Sequence, residues 1–459
     1  MSVRSVALIV APLLALLLTA ILAQSFPWPL AVTAGVTVWV AGWWVFEPLP
    51  AAVTALLPLG LFPLFGVLDG NQVAQAYGHP VILLLAGGFM LSAGIEGAGA
   101  HRRLALGMLR LTGAHSARRV LWGFVLASGL LSMWISNTAT VLVLTPVALA
   151  ILGDKPDPKM AAPLILAIAY SASVGGMGTP IGTPPNLIFR SVYQEATGTE
   201  IGFLSWFKFS IPVLLLVLPF IAWRLGRNLD GPAGGELPVL GPWRAVERRA
   251  VACFALVAVA WVTRTEPFGG WSGWLGLPGA NDASVALLGV VLMSVLPDGE
   301  GDRVLKWSAA ERIPWGTLVL FGGGLALASG FASSGLGELL ASSLVKLDTL
   351  PLWIMLLSIC LAVSFLTEIT SNTATTALLM PILAATAVAI DADPALLMLP
   401  AALAASMAFM LPVATAPNAI AYGTGVVPAS RMMREGIVID VFGVLAVSSV
   451  VYAVFSHFR

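Results

Sequence analysis

Apolar runs long enough to cross a membrane recur along nearly the whole chain, and no other feature limits its fold as much. They stand at 6–23, 28–46, 50–66, 80–98, 161–189, 209–224, 249–263, 283–297, 315–331, 395–424 and 436–456. About 20 such residues make one helical crossing of a bilayer core. The eleven runs therefore predict an all-α polytopic membrane protein with about eleven transmembrane helices. Two further apolar runs, 120–151 and 352–390, are interrupted at their centres by polar clusters. Backbone at membrane depth must be bonded within the protein or face a water-filled cavity. Each interrupted run thus reads as a re-entrant hairpin, at about 118–152 and about 351–391. The first run, after Arg4, is long enough to be a retained span and too long for a signal-peptide core.

Of 459 residues, 58% are hydrophobic and 10% charged, which leaves no room for a soluble catalytic domain. Lys plus Arg and Asp plus Glu balance at 23 each, so no overall field recruits nucleic acid. Cys253 and Cys360 lie inside apolar runs, which argues against a disulfide or a thiolate metal site. His79, His101, His115 and His457 stand at the edges of such runs, so a midplane general base is lacking and an enzyme is not expected. With a cytoplasmic N-terminus and an outside C-terminus, 18 of the 23 basic residues fall inside, among them Arg102, Arg103, Arg118, Lys155, Arg224 and Arg312. The outside keeps Arg190, Lys208, Arg264, Lys346 and Arg459, the bias that the positive-inside rule requires. Trp271 and Trp274, close to Trp261, read as an outer-interface belt.

The cluster Ser136-Asn137-Thr138-Ala139-Thr140 recurs letter for letter as Ser371-Asn372-Thr373-Ala374-Thr375, 235 residues later. Pro146 and Pro381 keep the same offset, ten residues into each copy. The segment Pro180-Ile181-Gly182-Thr183-Pro184-Pro185-Asn186 is matched by Pro412-Val413-Ala414-Thr415-Ala416-Pro417-Asn418, offset by 232. Gly87, Gly88, Gly94 and Gly99 are matched by Gly323, Gly324, Gly330 and Gly335, offset by 236. Offsets this close indicate a duplicated unit. The implied organisation is a first transmembrane helix in 1–27, repeat 1 in 28–227, a Gly/Pro-rich cytoplasmic linker in 228–248 and repeat 2 in 249–459. Each repeat holds five spans and a hairpin, and an odd number of crossings inverts the second copy. Inverted repeats are the signature of a secondary transporter.

The clusters also carry chemistry. Proline-flanked breaks expose half-helix N-termini, whose amides and partial positive charge suit an anion. Ser136, Asn137, Thr138, Ser371, Asn372 and Thr373 add donors without fixed charge. No Lys or Arg lies in either hairpin core or either break, so a substrate with two carboxylates needs bound cations to offset its charge. Hydroxyls at Ser132 and Ser136, or at Thr367 and Thr370, with freed carbonyls nearby, are the hard oxygen ligands of a small alkali ion. One such set per repeat predicts at least two cation sites flanking one substrate.

These paired Ser-Asn-Thr clusters, each followed by a Thr-x-Pro-Asn helix break, resemble the divalent anion/sodium symporter family, the INDY-type dicarboxylate transporters. The resemblance runs from about residue 28 to the C-terminus. It implies a membrane homodimer of elevator type, surrounded by lipid, in which a transport domain slides against a scaffold. It implies a first sodium (Na+) site at Ser132, Ser136, Asn137 and the Gly182 carbonyl, and a second at Thr367, Thr370, Asn372 and the Ala414 carbonyl. Asn137, Thr138, Thr183, Asn372, Thr373 and Thr415, with Ser136 and Ser371 beside them, would hold the substrate carboxylates. Ala416 departs from the family's proline, and Thr370 is larger than the small residue expected there; its hydroxyl is either a ligand or packing.

Glu368, where repeat 1 has Met133, reads either as a proton-coupling group or as a structural acceptor tying the hairpin to its neighbours. Glu96 reads equally as facing water or taking part. Gly87-Gly88 and Gly322-Gly323-Gly324 precede no P-loop lysine and read as sites of close helix approach. The Arg-rich stretch 101–119 reads as an amphipathic interfacial helix. The expected function is sodium-coupled uptake of a C4 dicarboxylate such as succinate, fumarate or malate. The alternatives are a sodium-independent exchanger, a sodium-coupled carrier of sulfate or of a tricarboxylate such as citrate, and an anion channel.

Overall fold

A computed structural model describes residues 3–113, 116–153, 157–231, 240–344 and 351–456. His115, Lys155, Lys346, His457 and Arg459, and 232–239 of the linker, lie outside the described residues. The architecture is helical; among the described residues the only β pairing is an isolated bridge between Pro297 and Arg303. Among the described residues, eight helices are long and apolar enough to span a membrane: Val3–Leu22, Trp28–Phe46, Gly70–Ala98, Lys159–Gly176, Phe203–Gly226, Trp315–Ser334, Asn372–Ala389 and Ala429–Ser456. Five shorter apolar helices accompany them, Ala51–Leu64, Asn137–Leu152, Asp282–Val295, Leu352–Thr367 and Pro394–Ala404.

The two interrupted runs form helix–turn–helix units, Ala117–Ser132 with Asn137–Leu152 and Leu352–Thr367 with Asn372–Ala389. The two runs that carry proline-flanked motifs break there, as expected. The 161–189 run stops at Gly176 and resumes at Pro184, and the 395–424 run stops at Ala404 and resumes at Ala416. The prolines cause this: proline lacks the N–H an inner turn needs but suits the first turn of a new helix, where Pro184 and Pro417 stand.

The matched glycines do matched work. A methyl built on Gly87 would meet Ala286 Cβ at 2.7 Å, and one built on Gly94 would meet Met293 Sδ at 2.7 Å. Gly330 would likewise meet the Phe62 ring at 2.6 Å, while Gly323 packs on the Ala55 backbone. Gly99 and Gly335 both end helices with φ of 75°, the left-handed conformation that glycine adopts without strain. Helix Ala100–Thr112 buries Ala105, Leu106 and Leu109 and leaves Arg102 and Arg110 exposed, as an interfacial helix should. Its Arg103 pairs with Glu247 at 3.0 Å and donates to the carbonyls of Gly241 and Pro242, pinning the end of the linker. Trp261, next to the Trp271 and Trp274 pair, is itself a packing residue. It is buried, stacks on Phe203 and donates to the Asp282 carbonyl at 2.9 Å, while Trp274 is exposed.

Helices Pro80–Ala98, Ala245–Val262 and Asp282–Val295 pack on one another, and the hairpins pack with the broken helices, Phe203–Gly226 and Ala429–Ser456. The segment after each break crosses to the other half. Pro184–Thr197 lies against Asn372–Ala389 and Pro394–Ala404, and Ala416–Gly423 against Asn137–Leu152 and Pro158–Gly176. This exchange brings segments 175 to 286 residues apart in sequence to one place.

Candidate functional site

One cavity of about 590 Å3 joins both hairpin tips and both helix breaks. Ser136, Asn137, Thr138, Thr183, Ser371, Asn372, Thr373 and Thr415 all line it, as do Gly182, Ala414 and Thr370. Ser132 and Thr367 stand behind that wall, fully buried. Four helices begin at the cavity: Asn137–Leu152, Pro184–Thr197, Asn372–Ala389 and Ala416–Gly423. Pro184, Pro185 and Pro417 carry no N–H, so the amides open to an anion come chiefly from the two hairpin helices, while all four helix starts add partial positive charge.

The caps are used in a crossed pattern. Ser136 Oγ accepts the Ala139 N–H at 3.2 Å and Thr415 Oγ1 the Asn418 N–H at 3.2 Å. Thr183 and Ser371, at the other two N-termini, make no such side-chain bond. The two hydroxyls left without a cap bond both line the cavity.

Behind the wall, the hairpin asparagines are held alike. Ser132 Oγ donates to Asn137 Oδ1 at 2.6 Å, and Thr367 Oγ1 donates to Asn372 Oδ1 at 2.5 Å. Asn137 packs so closely on the first break that a methyl built on Gly176 would fall 2.6 Å from its Oδ1. One built on Gly182 would fall 3.0 Å from the Met133 carbonyl oxygen. Side-chain and backbone oxygens therefore concentrate at the first hairpin tip. Thr370 Oγ1 bonds the Leu366 carbonyl at 2.7 Å and Thr375 Oγ1 at 2.6 Å, so its hydroxyl is engaged in packing its own turn.

Sequence reasoning gave no role to four residues, Arg4, Glu47, Asn186 and Asn418, and left Glu368 with two. Arg4 and Glu47, from the first two helices, line the exposed edge of the cavity and put one fixed charge of each sign there. Glu368 is buried, and its Oε1 and Oε2 accept the N–H groups of Met410 and Leu411, each at 2.8 Å. That geometry is the structural acceptor. The motif asparagines Asn186 and Asn418 lie behind the breaks, with no exposure at all. The repeated Thr-x-Pro-Asn spelling was the available signal for this last pair.

A second cavity, of about 480 Å3, is lined chiefly by alanine, valine and phenylalanine, and Glu195 and Glu338 are its charged groups among the described residues. Glu96 accepts a bond from Ser92 at 3.1 Å within its own helix.

The cavity, ringed by four helix N-termini and open at its edge, lies in a bundle of membrane-length helices, and the matched family and relatives make the class an integral membrane transporter, not an enzyme. Residues 41–402 match the citrate transporter family, CitMHS. The sodium-dependent dicarboxylate transporter SdcS of Staphylococcus saprophyticus is 38% identical over 443 residues, covering 91% of this chain and 84% of the relative. The protein of that name from Staphylococcus aureus is 37% identical over 477 residues, covering 98% and 91%. The chain belongs to the divalent anion/sodium symporter family. Among solved structures, its fold is similar to the Alcanivorax borkumensis YdaH transporter, with a TM-score of 0.62, 17% identity and coverage of 87% and 89%. Neisseria gonorrhoeae MtrF follows at 0.55, with 14% identity and coverage of 85% and 84%.

Proposed function

We propose that this protein is a sodium-coupled symporter that imports C4 dicarboxylates such as succinate, fumarate or malate across a bacterial plasma membrane. The observation that carries the reading is the cavity itself: four helix N-termini and duplicated Ser-Asn-Thr donors, with no basic side chain in either hairpin core or break. A dianion in such a site is under-neutralised. Sodium ions held by Ser132, Ser136, Asn137 and the Gly182 carbonyl, and by Thr367, Thr370, Asn372 and the Ala414 carbonyl, supply the missing charge. Attraction at that range is strong in a low-dielectric interior, so cation and anion bind interdependently. Ser136, Asn137, Thr138, Thr183, Ser371, Asn372, Thr373 and Thr415 hold the carboxylates.

The remaining proposals follow from the duplication. Residues 28–227 and 249–459 form inverted repeats about a cytoplasmic linker, with the N-terminus inside and the C-terminus outside. The hairpin-bearing body moves as an elevator against the packed helices around Pro80–Ala98 and Asp282–Val295, in a homodimer. The names of both staphylococcal relatives support sodium and a dicarboxylate, and the name of the matched family supports citrate as the second reading.

The deciding experiment is uptake of labelled succinate into proteoliposomes under an inward sodium gradient, with choline as control and fumarate, malate, citrate and sulfate as competitors. Concentrative uptake in sodium alone, blocked by C4 dicarboxylates, is expected. Equal uptake in choline would replace the symporter by an exchanger, and stronger block by citrate or sulfate would change the substrate.

A further inference from the structure

Each unwound segment is gripped by one side chain that touches neither the cavity nor any ligand assigned above. Asn186 Nδ2 donates to the Gly176 carbonyl at 3.0 Å and the Thr179 carbonyl at 2.7 Å. Asn418 Nδ2 donates to the Ala408 and Leu411 carbonyls, both at 3.0 Å. The acceptors lie ten and seven residues back in both cases. Both asparagines are fully buried, and in both the Oδ1 has no partner among the described residues. A buried oxygen without a partner is unfavourable, and the fold accepts it at the same position of both repeats. The chemistry of the grip explains why. Two donors on a single short side-chain atom exist only in an amide: aspartate has none, and serine or threonine has one.

We propose that Asn186 and Asn418 are positioning residues for the two sodium ions. They tie down the start of each unwound segment, and so set the direction in which the Gly182 and Ala414 carbonyls point toward the hairpin tips. Gly176, one of the carbonyls gripped, is the residue packed directly on the Asn137 amide, which links the grip to the first cation site. This inference rests on the sodium-coupled reading above and says which residues outside the cavity keep its cation sites in shape.

The test compares Asn186→Ala, Asn186→Asp and Asn186→Ser, and the same three changes at Asn418, in proteoliposomes. The sodium dependence of succinate uptake is measured for each, together with the succinate KM at saturating sodium. Wild-type uptake in sodium and choline is run alongside; if it shows no sodium dependence, the functional reading fails before the asparagines are judged. Given that dependence, the Ala and Asp variants should need roughly tenfold more sodium for half-maximal rate. Their succinate KM at saturating sodium should stay near wild type, and the Ser variants, with one donor, should fall between. An unchanged sodium requirement would overturn the proposal, as would a succinate KM raised equally at saturating sodium. Should every variant at a position fail to fold, Ser included, the grip there serves folding alone and the proposal is likewise overturned.

Discussion

The two hairpin-and-break units present nearly the same lettering to the cavity, yet their hidden faces are braced differently. In both, neutral donors hold freed carbonyls: Trp206 Nε1 bonds the Met177 carbonyl and Ser210 Oγ that of Gly178 in the first, both at 2.9 Å, while Ser364 Oγ bonds the Met407 carbonyl at 2.9 Å and Thr367 Oγ1 that of Ala405 at 3.2 Å in the second. The second adds the Glu368 carboxylate, which holds the freed Met410 and Leu411 amides, with the buried Asp440 beside it on Ala429–Ser456. The first has Met133 in that place. The lettering is shared on the cavity face, where a ligand imposes the chemistry, and differs on the hidden face, where any complete set of bonds suffices.

The largest expected effect tests the shared face. Asn137→Ala and Asn372→Ala each remove an amide that lines the cavity and accepts from a buried hydroxyl, and each should abolish uptake. The Asp variants should also stop uptake while retaining sodium binding, because a carboxylate keeps the cation ligand and repels the substrate. Wild-type uptake by purified Asn137→Ala or Asn372→Ala would end the site assignment.

The hidden face comes next. Glu368→Ala strands two buried amides, at roughly 1–3 kcal/mol each. Ser210→Ala and Trp206→Phe each remove one donor from a carbonyl in the other half, at about 1 kcal/mol. Thermal unfolding of the purified variants ranks them, and equal losses would erase the asymmetry.

A smaller effect comes from a single methyl. Gly176 corresponds to Ala408 by the motif offset, and a methyl built on Gly176 would fall 2.6 Å from Asn137 Oδ1. Gly176→Ala should displace Asn137, at a cost of about 1–3 kcal/mol for overpacking, and weaken sodium-dependent binding of succinate by calorimetry. Ala408→Gly should alter only stability, by ~1 kcal/mol or less.

The smallest difference separates the caps. Ser136→Ala removes a cap bond and should cost ~1 kcal/mol of stability. Ser371→Ala removes none, so its unfolding temperature should stay near wild type while its succinate affinity falls. Matching behaviour of the two variants in both measurements would show that the crossed cap pattern has no bearing on binding.

Much of the site was legible because it is written in local terms. A proline breaks a helix wherever the chain goes, a Ser-Asn-Thr run places donors at a helix start, and copies at offsets of 232 to 236 reveal a duplication without any coordinates. The hairpins followed from polar residues inside apolar runs, since the bilayer cannot satisfy them. Hydropathy alone draws 161–189 and 395–424 as unbroken runs, and the proline motifs inside them mark where the helices stop and resume. Local patterns say nothing of packing partners: Trp261, near a span end, is buried against Phe203.

By itself, then, the sequence determined that the chain spans a membrane, that its Ser-Asn-Thr and Thr-x-Pro-Asn motifs recur, where its helices break and which neutral donors stand at the breaks. Periodicity, proline and hydropathy act over a few residues and need no partner. Only the tertiary structure decided that all these donors share one cavity, that Arg4 and Glu47 stand at its edge, and which backbone groups Asn186, Asn418 and Glu368 satisfy. Those depend on the path of unwound chain and on segments crossing between the two halves. A contact between positions so far apart in sequence exists only once the helices have packed.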